Sequence, residues 1–195
     1  MNFLDLPEEC IAVMISFTSP YDACRISTVS RLLRTAADSN TAWERFLPSD
    51  SRMYMDHSLS TFSNKQLFFR LCESPLLIDD GRKSFWMEKR RGKKCWMLSA
   101  RKLEITWVDS PEFWIWISTP DSRFEEVAGL LAVCWFEIRG KIKAREDGWL
   151  EIELGEYYVG FDEEELEMSI LETRDGGWKG GIIVQGIEIR PKQVL

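Results

Sequence analysis

The sequence predicts an α+β protein, with a short all-helical module followed by an antiparallel β-sandwich. Three observations carry this. Up to Pro75 the apolar residues recur at helical spacing behind well-marked helix starts. From Ile78 onward they alternate with polar neighbours and are punctuated by turn signals, which favours a sandwich over a βαβ fold. Of the nine tryptophans, all but Trp43 lie beyond residue 80.

The helical elements follow from their caps. Pro7 suits the opening of a first helix, where its missing N–H costs nothing, and Glu8 and Glu9 suit the positive end of the helix dipole. Ile11, Met14 and Ile15 then share one face. Ser19 caps a second helix with Pro20 at its first position and Asp22 three residues after the cap. Val29, Leu32, Leu33, Ala36 and Ala37 mark a third. The spacing from Thr41 to Glu44 opens a last short helix carrying Trp43 and Phe46, which Pro48 stops. After a polar connector, Ser63 and Gln66 form a capping box for a helix with Leu67, Phe68 and Leu71.

The strand signals have period two. Ser84 to Met87 and Cys95 to Leu98 flank the basic loop KRRGKK, which predicts a hairpin with a solvated tip. Leu103, Ile105 and Trp107 alternate as one face of a strand. Phe113 to Ile117, Val133 to Lys143 and Leu166 to Leu171 supply further strands, as does Ile182 to Ile189. Leu150, Ile152 and Leu154 alternate with Glu151 and Glu153 as a half-buried strand after the Asp147-Gly148 turn.

Composition excludes several functions. The chain has 195 residues, 45% hydrophobic and 29% charged, as in soluble globular proteins. A formal charge of −7 argues against a nucleic-acid binder, which needs excess Lys and Arg for the phosphate backbone. No apolar run approaches the roughly 20 residues of a membrane helix, so no membrane partner is expected. The N-terminus carries acids where a secretory signal would be basic. Five widely spaced cysteines fit reduced thiols in cytoplasm and nucleus.

No catalytic residue and no cofactor are expected. The single histidine, His57, lies in the polar connector between Asp56 and Ser58, where it reads as a solvated loop residue. One histidine and no CxxC pair leave no metal site and no zinc knuckle of a RING-type ligase. No P-loop, G-x-G-x-x-G or G-x-S-x-G occurs. Cys72 and Cys95 lack a local feature that would convincingly activate them. The acids from Asp162 to Glu167 read as a solvated face.

Leu6-Pro7, Ile11 with Ile15, Ser19-Pro20 with Asp22, Val29-Ser30-Arg31 and Trp43 together resemble an F-box. The resemblance divides the chain into an F-box over 1–48, a helical connector over 49–77 and a β-sandwich over 78–195. It implies binding to a Skp-type adaptor, and through it to a cullin scaffold, with catalysis left to other subunits. Leu6, Pro7, Ile11, Ile15, Pro20, Trp43 and Phe46 are the expected adaptor-binding residues. So short a helical unit leaves apolar surface for a partner, unless that stripe packs on the protein's own C-terminal half.

The segments KSFW, GKKCWMLSARKLEITWVDSPEFWIW, VCWFEIRGKI, DGWLEIELGEYY, ELEMSILE and WKGGIIVQGIEIRPK resemble the phloem protein 2, or phloem lectin, family in its F-box-bearing branch. The resemblance implies a lectin-like sandwich that binds N-acetylglucosamine oligomers or N-glycosylated proteins. Trp107, Trp114, Glu165 and Glu172 match the residues implicated in its sugar site. An indole face stacks on a pyranose, and a carboxylate accepts bonds from sugar hydroxyls. The neighbours of each leave alternatives open: Trp114 lies in an aromatic run that also suits a core, and Glu165 in an acidic run that suits solvation. Trp107, beside a turn, is the better-placed platform. One departure stands out. Only residues 144–148 separate the matches ending at Lys143 and starting at Trp149, where the family has several more strands.

Two functions follow from these resemblances: a substrate-recognition subunit of a cullin–RING ubiquitin ligase, or a lectin whose F-box is secondary.

Overall fold

The computed structural model describes residues 6–49, 61–133, 142–158 and 180–192. It is α+β, with helices first and antiparallel sheets after them. Two compact units emerge: the described residues up to Leu98 with those from Glu188 on, and Ser99–Ile187.

The first unit opens with α1 (Glu8–Ser16), α2 (Pro20–Ile26), α3 (Arg31–Asp38) and α4 (Asn40–Glu44). Ser19 caps α2 by accepting the Asp22 N–H, and Ser30 caps α3 through Leu33. The fourth helix starts earlier than its expected Thr41 cap: Ser39 ends α3 and caps α4, accepting from Ala42 at 3.3 Å. In α5 (Asn64–Glu73) the capping box is complete, with Ser63 and Gln66 each bonding the other's backbone N–H. Trp43 is the hub of this core. Its indole N–H donates to the Ala37 carbonyl at 2.6 Å, and its ring meets Phe46, Phe68 and Phe69 at 5.2–5.4 Å between centroids.

Three strands join these helices: β1 (Leu76–Ile78), β2 (Lys83–Met87) and β3 (Lys94–Ser99). Phe85 and Met87 of β2 belong to the same buried cluster as Trp43 and Phe68, which is why the hairpin groups with the helices. β1–β2 and β2–β3 are antiparallel, with Trp86 opposite Cys95, and β9 (Gly186–Ile189) is the fourth strand in the order β1-β2-β3-β9.

In the second unit, β4 (Trp114–Ile117), β5 (Val127–Leu130) and β8 (Ile182–Val184) form an antiparallel sheet with β5, entirely buried, in the centre. Ala100, Trp114, Ala128, Leu130 and Val133 form its core. A separate hairpin pairs β6 (Ile142–Ala144) with β7 (Leu150–Ile152).

Three strand expectations change. Leu103, Ile105 and Trp107 are not in a strand: a 3-10 turn at Ala100–Lys102 leads into consecutive turns closed by Val108 N–H to Ile105 and Ser110 N–H to Trp107. Trp107 has φ +57°, which no strand residue adopts. The run from Ile182 to Ile189 is two strands, because the Gln185 carbonyl turns aside to accept the Ala100 N–H at 3.0 Å. The alternation at Leu150, Ile152 and Leu154 does give a strand, β7, but it ends at Ile152 and Leu150 and Leu154 are exposed. Leu166 to Leu171 lie outside the described residues, as does His57.

Candidate functional site

The buried face of α1 is Ile11, Ala12, Ile15 and Ser16, packed on α3 and α4. Ile11, Ile15, Pro20, Trp43 and Phe46 are all interior, Leu6 is partly buried against the same core, and Pro7 is exposed. The interior five of the expected adaptor-binding residues therefore offer no side-chain surface; they hold the helices in place. Apolar surface comes instead from Val13, Met14 and Phe17 along the other face of α1, with Phe17 67% exposed. Val29, after α2, is 72% exposed. Arg45 lays its guanidinium 4.1 Å from the Phe17 ring centre, a contact no sequence spacing announces.

In the second unit the two tryptophans separate. Trp114 is 3% exposed and its indole N–H donates to the Thr106 carbonyl at 3.1 Å. Trp107 is 55% exposed, and its ring meets Phe113 at 5.5 Å and 32°. A left-handed backbone costs an L residue about 1–2 kcal/mol. The Ser110 and Val108 bonds and the Trp114 indole clamp the turn that holds Trp107 there. Glu165 and Glu172 lie outside the described residues. Nearby in the fold, Arg101 stacks 3.6 Å over Trp116 and pairs with Glu126.

Burial pushes the Cys72 thiol up to about 12, against a smaller lowering by Lys89, and Cys95 is buried. Among the described residues no group of three or more His, Cys, Asp or Glu could hold a metal ion.

Comparison with known proteins finds two families in the chain. The F-box domain model matches residues 3–45, and the phloem protein 2 model matches 93–145 and 142–191. PP2-B12 of Arabidopsis thaliana is 66% identical over 251 residues, covering all of both chains. The chain belongs to the F-box protein PP2-B family. F-box protein PP2-B10 of Arabidopsis thaliana is 39% identical over 259 residues (99% of this chain, 95% of the relative), and F-box protein SKIP3 is 33% identical over 260 (97% and 88%). No solved structure matches.

Against its PP2-B relatives this chain lacks an internal stretch. The PP2-B12 alignment runs to 251 positions against 195 residues, so at least 56 (251 less 195) face gaps in this chain. The two phloem protein 2 matches meet at 142–145, on β6 itself. The β6–β7 register puts Ile142, Ala144, Leu150 and Ile152 on one face, and Ile142 and Leu150 are 62% and 66% exposed.

Proposed function

We propose that this F-box protein is a non-catalytic substrate-recognition subunit of a cullin–RING ubiquitin ligase, acting in cytoplasm and nucleus. The carrying observation is the two-faced α1: one face closes the core, and Val13, Met14 and Phe17 on the other remain open. Apolar side chains on a short helical module are the usual anchors of a helix-in-groove partner, here the Skp-type adaptor that leads to the cullin. Co-purification with that adaptor tests this. Phe17→Asp, which leaves the core intact, should abolish it; unchanged capture would sink the assignment.

A second reading concerns the phloem protein 2 part and rests on Trp107. An exposed indole held in a left-handed turn suits stacking on a pyranose, and backbone outliers of this kind cluster at ligand clamps. N-acetylglucosamine oligomers, or the glycans of N-glycosylated proteins, are the proposed ligands, with Glu165 and Glu172 as hydrogen-bonding partners. Titration with such oligomers, read by tryptophan fluorescence, should respond in the wild type and not in Trp107→Ala. A flat titration of well-folded wild type would mean that the shortened domain has lost sugar binding.

A further inference from the structure

The basic loop between β2 and β3 keeps its cations exposed, as a solvated hairpin tip does, yet it is anchored. Five of the six residues from Lys89 to Lys94, the last of which opens β3, are cations in a chain of net charge −7. Mutual repulsion would leave such a loop mobile unless something fixed it. Here its backbone is fixed. The Glu88 N–H donates to the Lys93 carbonyl at 2.8 Å and the Gly92 N–H to the Glu88 carbonyl at 3.0 Å. Both carboxylate oxygens of Glu88 turn inward and accept the Arg90 and Arg91 N–H groups, each at 2.7 Å.

The loop is also pinned from outside. Gly92, at φ +67°, lies so close to Pro20 that a Cβ would stand 2.9 Å from its Cγ. The Tyr21 N–H points to the Arg90 carbonyl at 3.4 Å, and Arg91 donates to the Lys192 carbonyl at 3.2 Å. Pro20, one of the expected adaptor contacts, is thereby buried.

This docking creates a groove of about 440 Å³ lined by Pro20, Tyr21, Cys24 and Phe69 together with Glu88, Lys89 and Arg90. Arg25 and Arg90 both lie over the Tyr21 ring, at 5.7 and 5.3 Å, and Lys89 lies 5.5 Å from the Phe69 centre. The ring contacts hold the cationic stems in place, which reduces the entropy lost on binding. Glu88, the carboxylate in the groove's lining, is already engaged by the loop's own N–H groups.

We infer that this groove binds an extended acidic segment of a partner protein, with carboxylates on Arg90 and Lys89 and one apolar side chain on the Pro20–Phe69 floor. Arg presents a fork matched to carboxylate, and a groove lined by both cationic and apolar residues selects a peptide carrying both features. The site goes beyond the proposed adaptor-docking face, since Val13, Met14 and Phe17 do not line it.

Fluorescence anisotropy with the full chain and a fluorescein-labelled Glu/Asp-rich peptide bearing one central Phe tests the inference. The expected result is saturable, salt-sensitive binding, weakened about tenfold or more by Lys89→Glu with Arg90→Glu. Replacing the peptide's Phe by Ala should weaken it as well. Phe17→Asp should leave peptide binding intact while removing adaptor capture, so the two readings fail separately. If charge reversal disturbs the fold, Lys89→Gln with Arg90→Gln replaces it, with the same direction expected. No binding by folded wild type would overturn the proposal. So would equal binding of a single-stranded RNA of matched charge, which would mean unselective attraction to any polyanion.

Discussion

The indole N–H of Trp114 donates to the carbonyl of Thr106, the residue just before Trp107. A buried side chain thus fixes the turn that carries an exposed one. The two tryptophans form one device rather than two equal halves of a binding site: Trp114 supplies rigidity, and Trp107 supplies the surface.

Substitutions should separate these roles. Trp114→Ala removes a core ring and should cost about 3–5 kcal/mol. Trp107→Ala should change stability by no more than about 0.5 kcal/mol, as expected at an exposed site. Trp107→Gly relieves the left-handed backbone and should melt no lower than Trp107→Ala. Thermal unfolding of the three variants checks the order.

In the helical module, Ile11→Ala and Ile15→Ala should each cost about 2–5 kcal/mol. Val13→Ala and Phe17→Asp, on the exposed face, should stay within about 0.5 kcal/mol. Urea denaturation measures both sets, and only the second set can report on adaptor binding without reporting on folding.

This pair shows what the sequence makes legible and where it stops. Ile11 and Ile15 at helical spacing identify an apolar stripe, and the caps at Ser19 and Ser63 identify helix starts, because both signals are local. Whether the stripe faces its own core or a partner depends on packing against α3 and α4, which no local pattern contains. Trp107 is a different case. Its alternation with Ile105 and Leu103 is real, but the turn bonds from Val108 and Ser110, with the Trp114 indole on Thr106 eight residues away, override the strand. The loop at Lys89–Lys94 is solvated as read, but its anchoring has no local sign, because Pro20 and Tyr21 are distant in sequence.

Gly92 and Gly148 make a matched test of that anchoring. Both have positive φ, +67° and +86°, but an added Cβ meets Pro20 at Gly92 and nothing within 4 Å at Gly148. Gly148→Ala should cost about 1 kcal/mol, the backbone penalty alone. Gly92→Ala adds overpacking and should cost about 2 kcal/mol or more. Equal melting temperatures would mean the loop does not rest on Pro20.

Thiol labelling should follow burial. Cys10 is exposed, whereas burial holds Cys72 at about 12. At pH 8, iodoacetamide followed by peptide mass spectrometry should modify Cys10 well ahead of Cys72. The raised value also has a stability consequence. A thiol whose pKa rises on folding from 9.0 to about 12 supports the fold fully below pH 9. That support is lost progressively as pH rises from 9 toward 12, so a Cys72→Ser variant should show a flatter alkaline limb in its stability profile.

The β6–β7 hairpin responds to acid instead. Burial alone would raise the Asp147 carboxyl, but hydrogen bonds from Arg145 and the Trp149 N–H, with the charges of Arg145 and Arg123, outweigh it and hold the group below its ordinary range. A carboxyl depressed on folding contributes stability above its unfolded value, about 3.9, and loses that contribution as pH falls through the lower folded value. The loss should be local. Arg145 also reaches Glu151 at 3.5 Å, and the Arg145 N–H donates to the Trp149 carbonyl at 2.8 Å, so the turn opens as one piece when Asp147 is protonated. Amide exchange of Arg145 is the readout: protection should fall below about pH 4 in the wild type. In Asp147→Ala the protection should already be low near neutrality, with little further change in acid. Ile142→Thr and Leu150→Thr should leave it unaltered at any pH, because those side chains lie on the exposed face of the hairpin and support nothing beneath them.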